Sequence, residues 1–329
     1  MNLLLNNSFI KKIKIFFYPI FFFLVILELI LQITFFFDFK TLKKTILFFD
    51  PFCDQAYWNL EGNSSYDKDE YNYHPILTII KKKNKKFFNK NNTSNADIIF
   101  YGSSFIDHEY FIPNYENKIN FAVKSYGIDQ IYTSYQLTKE NFNNGTIIIG
   151  FLLEDIDRAL FDQRNFPKLK YIKNDNVYEL SNTPIEFKKN LKTGVHFYSF
   201  KLIKNISFLV LNNFNYKLSE CNINKKKELF KYFVNEIISQ SIVLNQNLIF
   251  ITFNFKDEID SPNWRYNFVK NFLYSKNVKH VDMLKIIKDD MKYVDLPLSE
   301  YYNKEDFHFS IYAFNLVKKE INKIISQYK

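Results

Sequence analysis

From residue 97 to the C-terminus, short apolar runs alternate with segments that have the periodicity of amphipathic helices. The runs that we predict to be strands are residues 98–101, 118–122, 146–151, 248–253 and 278–281. The predicted helices are residues 130–140, 225–244, 264–275 and 312–327. Strands separated by helices usually pair in parallel, and the helices then cover both faces of the sheet. The pattern therefore predicts a three-layer α/β/α domain with about five parallel strands.

Two regions lie outside this alternation. Residues 157–223 interrupt it, and we expect a largely helical insert there that shapes a substrate cleft. Residues 38–95 precede it and are rich in Tyr, Asn and Lys. We predict that they form a membrane-proximal linker region in which the lysine-rich run at 81–86 is a solvated face. The α/β domain is expected to occupy residues 96–329.

An apolar run at residues 15–37 contains one acid, Glu28, and no Lys or Arg. Its length suits a helix that spans a bilayer, which needs about 20 residues. A cleaved signal peptide would have a shorter apolar core and a cleavage site made of small residues. We therefore predict an uncleaved transmembrane anchor at 15–37, preceded by a short basic tail at 1–14.

Glu28 and the flanking lysines bear on how this anchor sits in a membrane. A charged carboxylate at mid-membrane costs about 2.5–3.5 kcal/mol, so we expect Glu28 either to be protonated or to face a partner helix. The flanking lysines are Lys11, Lys12 and Lys14 before the span, and Lys40, Lys43 and Lys44 after it. This balance gives little orientation by the positive-inside rule. The free amino terminus favours an N-inside orientation, with the α/β domain outside the cytoplasm.

The composition excludes several classes of function. The net charge is +9, but the lysines are scattered and form no basic motif interleaved with aromatic residues, so we expect no nucleic-acid partner. The two cysteines, Cys53 and Cys221, are too few for a disulfide framework or a metal site. They form either one bridge or two free thiols. The histidines lack the spacing of metal ligands, and we expect no metal and no cofactor.

Two short stretches carry the residue types of nucleophilic serine chemistry. Residues 96–105 read as a buried strand that runs into a tight turn at Ser104. Residues 305–310 place Asp306 and His308 just before the last predicted helix. Such chemistry needs a hydroxyl, an imidazole that takes its proton and a carboxylate that orients the imidazole. The carboxylate is either Asp306 or Glu305.

These stretches resemble blocks of the SGNH (GDSL-type) hydrolases and acyltransferases. The sequence Gly-Ser-Ser-Phe at 102–105 is similar to the family's Gly-Asp-Ser block, with Ser103 in the place of Asp. Residues 120–130 are similar to a second block, Asn-x-Gly-x-x-Gly-Tyr-Gly-x-x-Gln. The matching residues are Asn120, Tyr126, Gly127 and Gln130, whereas Ala122 and Ser125 replace two glycines.

The third block of the family is Gly-x-Asn-Asp, and here the corresponding strand is followed by Glu154 and Asp155. The last block is similar to the Asp-x-His of the alginate-acetyltransferase branch. The resemblance covers residues 97 to the C-terminus. Within the superfamily it is nearest to membrane-anchored SGNH-like proteins associated with extracellular polysaccharides.

The resemblance implies a flavodoxin-like SGNH domain and assigns roles within it. Ser104 would be the nucleophile, His308 the base and Asp306 the orienting acid. The oxyanion hole would consist of the backbone N–H groups of Ser104 and Ser125 and of the position held by Glu154. A carboxylate at Glu154 would repel the oxyanion unless it is protonated or turned aside, and losing one donor costs about 2.7–4 kcal/mol.

Arginine suits bidentate pairing with a carboxylate, so Arg158 or Arg164 is the expected partner of Glu154. The neighbouring Asp155, Asp157 and Arg158 are expected to form a structural salt-bridge corner. We expect His108 to be a surface histidine on the first helix, or else to sit at the cleft rim.

Two classes of function follow from the resemblance. The first is a membrane-anchored serine esterase or O-acyltransferase that acts on ester groups of a surface glycan or lipid. Water would complete a hydrolase cycle and a sugar hydroxyl would complete a transferase cycle. The second is a catalytically degenerate SGNH-like module in polysaccharide assembly or export, with assembly proteins as partners. A lipid hydrolase that faces the cytoplasm is a third reading, left open by the lysine balance.

Overall fold

The structure is a computed structural model that describes residues 7–36, 69–89, 94–108, 110–111, 117–161, 168–175, 177–182, 198–211, 222–304 and 307–328. The chain divides into two compact units. One contains Met1–Gly62 and Lys189–Cys221, and the other contains Asn63–Lys188 and Asn222–Lys329. Both cysteines lie outside the described residues.

The helices and strands are numbered in chain order. The helices are α1 (Asn7–Phe36), α2 (Ile128–Thr138), α3 (Tyr198–Leu211), α4 (Ile223–Val243), α5 (Lys256–Asp260), α6 (Trp264–Ser275), α7 (Met283–Val294) and α8 (Ile311–Ile325). The strands are β1 (Tyr71–His74), β2 (Thr78–Lys81), β3 (Ile98–Gly102), β4 (Lys118–Asn120), β5 (Thr146–Leu152), β6 (Lys170–Asn174), β7 (Val177–Asn182), β8 (Asn247–Phe253) and β9 (Lys279–Asp282). The 3-10 helices are Lys82–Phe88, Lys139–Asn141, Leu153–Leu160 and Leu298–Tyr301.

The larger unit is built on a five-stranded sheet of order β4-β3-β5-β8-β9, in which all neighbours are parallel. Counted along the chain, this order is 2-1-3-4-5, which is the flavodoxin-like order. Every residue of β3 and β5 is buried. Because successive side chains of a strand point to opposite faces, both faces of the sheet are covered. The predicted α/β fold class with five parallel strands is confirmed.

Two glycines determine how the chain leaves the first strand of this sheet. Gly102 of β3 lies opposite Gly150 of β5, and Ile106 packs over the pair. A Cβ atom on Gly102 would lie 2.4 Å from the carbonyl oxygen of Gly150, and one on Gly150 would lie 2.3 Å from Cδ1 of Ile106. Side chains would therefore lift the following turn away from the sheet.

The compact unit begins upstream of the boundary at residue 96 that the sequence pattern predicts. The antiparallel β1–β2 hairpin contributes Leu77 and Ile79 to the buried core. The Tyr126 hydroxyl donates a hydrogen bond of 2.5 Å to the carbonyl oxygen of Ile79. The lysine run at 81–86 is not wholly a solvated face, because Lys81 is buried in an ion pair with Asp107. The rest of the predicted linker, residues 38–68, lies outside the described residues.

The predicted insert at 157–223 contains more than helices in its described part. It begins within the 3-10 helix Leu153–Leu160, continues with the antiparallel β6–β7 hairpin and includes α3. The helix α7 follows β9 directly and was not among the predicted helices. Asp282 starts it, since its Oδ1 accepts a hydrogen bond of 3.2 Å from the backbone N–H of Lys285.

The smaller unit contains α1 and α3. Residues Lys14–Ile33 of α1 form a stretch of 20 residues with a mean hydropathy of 2.3, of which 6% is buried. Among the described residues, α1 is the one helix long and apolar enough to cross a membrane. Glu28 in this stretch faces a helix of its own chain, because its carboxylate accepts hydrogen bonds from the backbone N–H groups of Tyr198 and Ser199.

Candidate active site

A tight turn after β3 presents Ser104 at the carboxyl edge of the sheet. The Ser103 carbonyl oxygen accepts hydrogen bonds from the backbone N–H groups of Ile106, at 3.1 Å, and Asp107, at 3.0 Å. Ser103 and Phe105 are buried within this turn, whereas Ser104 is partly exposed. The turn thus singles out Ser104 as the serine that solvent and ligands can reach.

Asn120, at the end of β4, holds this turn in place. Its side-chain amide donates a hydrogen bond of 3.1 Å to the Ile106 carbonyl oxygen and accepts one of 2.8 Å from the backbone N–H of Ala122. The backbone N–H of Val123 donates to the carbonyl oxygen of Gly102, at 3.1 Å. The segment that follows β4 is therefore fixed against the end of β3.

This segment continues to Ser125, whose backbone has a φ of 71°. That left-handed conformation suits glycine, the residue that the family resemblance expects here, and it is costly for residues with a Cβ atom. The angle shows why glycine is favoured at this position. It also shows that this chain keeps the conformation, and a backbone N–H, with serine instead.

Arg158 links the segment after β4 to the segment after β5. Its Nη1 donates a hydrogen bond of 3.2 Å to the Tyr126 carbonyl oxygen and pairs with the Asp155 carboxylate. Its Nη2 lies 3.6 Å from Oε1 of Glu154. The expected arginine partner of Glu154 is thus Arg158, while Arg164 lies outside the described residues.

His308 packs against the turn that carries Ser104. Its ring centroid lies 4.8 Å from that of Phe105, the residue after Ser104. The next residue, Phe309, contacts both Phe105 and Phe253, the last residue of β8. His308 therefore lies at the same edge of the sheet as Ser104. Glu305 and Asp306 lie outside the described residues, so the role of Asp306 and a hydrogen bond between Ser104 and His308 stay predictions.

Hydrogen bonds close the loop that carries His308. The backbone N–H of Asn303 donates to the His308 carbonyl oxygen at 2.7 Å, and that of Ser310 donates to the Tyr301 carbonyl oxygen at 3.0 Å. The Tyr302 hydroxyl donates to the carbonyl oxygen of Asn254, just after β8, at 3.0 Å. These bonds tie the loop to the sheet as well as to itself.

His108, which the sequence places on the first helix or at the cleft rim, lies beside His308. The prediction that it lies on a helix is wrong, because the chain forms turns and bends from 103 to 108. Its ring lies 5.2 Å from that of His308 and is stacked on Phe314 at 5.0 Å. The signal in the sequence is its distance of four residues from Ser104, which within a compact turn brings the two residues to one side of the sheet edge.

A buried ionic cluster lies beneath the same turn. Asp107 pairs with Lys81 and accepts a hydrogen bond of 3.1 Å from the Tyr71 hydroxyl. Burial raises the pKa of the Asp107 carboxyl, against the opposing charge of Lys81. Burial likewise lowers the pKa of the Lys81 ammonium. The cluster joins the β1–β2 hairpin to the turn that carries Ser104.

A second cluster of buried charges follows β5. Asp157 forms ion pairs with Arg265 and with Lys226, the latter at 3.0 Å, and Arg265 also lies 3.2 Å from Glu258. Each partner of Asp157 is a basic residue of α4 or α6, so the cluster connects these helices to the end of β5. Across the described parts of the chain, no group of three or more His, Cys, Asp or Glu side chains is arranged to hold a metal ion.

The fold defines the chain as an α/β protein whose structural neighbours include lipolytic and α/β-hydrolase proteins. No protein-family model matches the chain. No curated protein matches it by sequence.

Two solved structures illustrate the likeness. A member of the lipolytic protein G-D-S-L family from Veillonella parvula is 10% identical, with a TM-score of 0.33, over 70% of this chain and 97% of that one. LAE5, an alpha/beta hydrolase enzyme from the metagenome of Lake Arreo, Spain, is 7% identical, with a TM-score of 0.39, over 68% of this chain and 92% of that one. At these identities and TM-scores the likeness carries no argument about activity or site residues.

The buried Asp155 carboxyl gives the domain a pH-dependent stability. Burial raises the pKa of this carboxyl to about 6, against the lowering effect of the Arg158 charge. An unfolded Asp has a pKa of about 3.9, so folding takes up a proton between these two values. The stability gained from the protonated form is complete below about pH 4 and is lost as the pH rises through about 6.

We expect Asp155→Asn to remove this loss, because Asn stays neutral at every pH. Relative to the unsubstituted protein, the free energy of unfolding of the variant should rise by about 2 kcal/mol between pH 4 and pH 7. Urea unfolding of both proteins in detergent, at several pH values, measures the difference. Parallel pH profiles would show that Asp155 does not titrate on folding.

Proposed function

We propose that the chain is a membrane-anchored serine esterase or O-acyltransferase that acts on ester groups of a surface glycan or lipid. In this proposal it belongs to the membrane-anchored branch of the SGNH superfamily, with Ser104 as nucleophile, His308 as base and Asp306 as orienting acid. One observation carries the proposal: the loop bearing His308 packs on the Ser104 turn, with 4.8 Å between the Phe105 and His308 rings. Serine at a sheet edge with histidine beside it suits nucleophilic ester chemistry.

The first half of the proposed cycle forms an acyl-enzyme. The imidazole of His308 accepts the proton of the Ser104 hydroxyl while Oγ attacks the ester carbonyl carbon. The carbonyl π electrons move to the oxygen, which becomes an oxyanion. When the tetrahedral intermediate collapses, the bond to the alcohol oxygen breaks and that oxygen takes the proton from His308.

The second half releases the acyl group. Water, or the hydroxyl of an acceptor sugar, gives a proton to His308 and attacks the acyl carbon. Ser104 leaves as the alkoxide and recovers that proton. A hydrolase and a transferase thus differ only in which hydroxyl reaches the acyl-enzyme.

Backbone N–H groups would stabilise the oxyanion. The backbone N–H groups of Ser104 and Ser125 are the proposed donors. Hydrogen bonds and buried neighbouring residues hold both segments in place. Phe105 and His108 flank the His308 ring at 4.8 and 5.2 Å, which supports a fixed orientation of the imidazole. Preorganised donors of this kind need no rearrangement during the reaction.

The proposed place of action is a membrane surface. The helix α1, with its span Lys14–Ile33, would anchor the chain, and the domain would face away from the cytoplasm. An anchored domain meets substrates of the same surface at high local concentration. Lipid esters and acylated glycans at that surface are therefore the proposed substrate class.

One observation favours a second candidate function. The family resemblance assigns Glu154 to the position of the third oxyanion donor, and its carboxylate lies 3.6 Å from Arg158. A site that lacks this donor is weakened as a catalyst, which suits a degenerate SGNH-like module in polysaccharide assembly or export. The ion pair is also compatible with an enzyme, because the positive charge of Arg158 offsets the carboxylate charge that would otherwise repel the oxyanion.

The two adjacent serines test the first proposal against a built-in control. Ser104→Ala should lower the hydrolysis of p-nitrophenyl acetate by about 10³-fold or more, because the nucleophile is lost. Ser103→Ala changes the neighbouring hydroxyl, which is buried, and should leave the rate within a few fold. Equal rates in the two variants would contradict the assignment of Ser104. An unsubstituted protein with no activity above background would favour the degenerate module.

Glu154→Asn addresses the third donor. If the chain is an enzyme, this change should preserve its kcat or raise it by up to about 10²-fold, because a neutral donor replaces a carboxylate where negative charge develops. Glu154→Leu is the matched control, since it removes the carboxylate without supplying a donor. Steady-state kinetics of the folded variants measure the effect.

A degenerate module gives a different pattern, in which hydrolysis stays at background in all these variants and glycan association survives Ser104→Ala. Loss of hydrolysis in a stably folded Glu154→Asn protein would contradict the oxyanion argument and point to a direct role for the carboxylate.

A further inference from the structure

Glu28 is a carboxylate within the apolar stretch Lys14–Ile33, where a polar group needs partners. Its Oε1 accepts hydrogen bonds from the Tyr198 backbone N–H at 3.1 Å and from Nε2 of Gln32 at 2.7 Å. Its Oε2 accepts one from the Ser199 backbone N–H at 2.8 Å. The N–H groups of a first helical turn have no partner within their own helix. Glu28 and the start of α3 therefore satisfy each other.

The contacts between α1 and α3 show where α3 begins. Glu28 meets Tyr198 and Ser199, and Leu31 packs with Leu202, so the two helices run in the same direction where they touch. Glu28 precedes Ile33, the end of the apolar stretch, by five residues, which is about 7–8 Å along a helix. If α1 spans a bilayer, α3 therefore begins inside the apolar layer and reaches the level of Ile33 about five residues later, at Ile203.

Beside its α1-facing side, α3 exposes apolar side chains. Ile203, Ile206 and Val210 are 43%, 47% and 54% exposed, whereas Leu202, which faces α1, is 8% exposed. The spacing of these three residues, i, i+3 and i+7, places them on one side of the helix. We refer to Ile203, Ile206 and Val210 as the α3 stripe.

We propose that the first turns of α3 are a second membrane-embedded element and that Ile203 of the α3 stripe, which lies level with Ile33 of α1, contacts the acyl chains of lipids, whereas Ile206 and Val210 lie toward the lipid headgroups. This inference rests on the membrane anchoring of α1 proposed above. The occupant is lipid because the stripe belongs to a helix that starts beside Glu28, at the depth where Leu29 and Ile33 of α1 are themselves exposed. The carboxylate of Glu28 thus ties a second apolar surface to the anchor.

Three isoleucines on three helices provide matched positions for a test. Ile26 lies on α1, Ile203 on α3 and Ile242 on α4 of the other unit, with exposures of 52%, 43% and 73%. Each is changed to Cys in the full chain after Cys53→Ser and Cys221→Ser, and is labelled with the fluorophore NBD. The proteins are placed in vesicles of phosphatidylcholine and phosphatidylglycerol, with or without lipids that carry a doxyl quencher on the acyl chain.

We expect the quencher to reduce the emission at Ile26 and Ile203 at least twofold and to leave Ile242 unchanged. Quenching at Ile26 without quenching at Ile203 would overturn the inference on α3 and leave the proposed anchor in place. No quenching at either position would overturn the anchor as well. Emission at Ile203 that is shifted to the blue but not quenched would mean that protein, such as a second copy of the chain, covers the stripe.

Variants of Glu28 test what holds α3 in place. Glu28→Leu removes the acceptor and should lower the quenching at Ile203 toward the value at Ile242, while Ile26 stays quenched. Glu28→Gln keeps a carbonyl oxygen that accepts hydrogen bonds and should retain most of the quenching. Full quenching at Ile203 in the Glu28→Leu protein would overturn the role given to this carboxylate.

Discussion

The site depends on the close approach of β3 and β5 at Gly102 and Gly150. Because neither residue has a side chain, Ile106 can pack over the pair and the turn after β3 can lie against the sheet. Overpacking of such a junction costs about 1–3 kcal/mol, or more where the clash is with backbone. Asn120 then fixes the turn through the carbonyl oxygen of Ile106. The exposure of Ser104 at the sheet edge follows from these contacts.

Aromatic packing and buried charge assemble the other parts around that turn. Phe105 contacts both the His308 ring and Phe309, so the loop before α8 docks on the residue that follows Ser104. Arg158 connects the segments that carry Ser125 and Glu154. A buried ion pair adds little to the free energy of folding, because the cost of removing both charges from water nearly equals the gain from their attraction. We therefore regard them as fixing geometry.

The five sheet strands could be predicted because parallel strands, buried on both faces, read as continuous apolar runs. Contacts between residues that are distant in the sequence could not be predicted in this way. Lys81 lies in a run of lysines, and nothing in that run indicates that it is buried in an ion pair with Asp107. For His108 the sequence favours a helix over the cleft rim, because the pattern does not reveal the turn. For Glu28, the sequence predicts protonation or a partner helix, but it does not indicate that this helix is α3. Asp306 was predicted but lies outside the described residues.

The central claim is that Ser104 has an activated hydroxyl. A fluorophosphonate reacts with such a serine and leaves a covalent phosphonyl group, which peptide mass spectrometry locates. We predict that the adduct forms on Ser104 of the full chain and that His308→Ala slows its formation by at least about 10³-fold. A folded protein that gives no adduct on Ser104, or one that reacts equally fast without His308, would contradict this account.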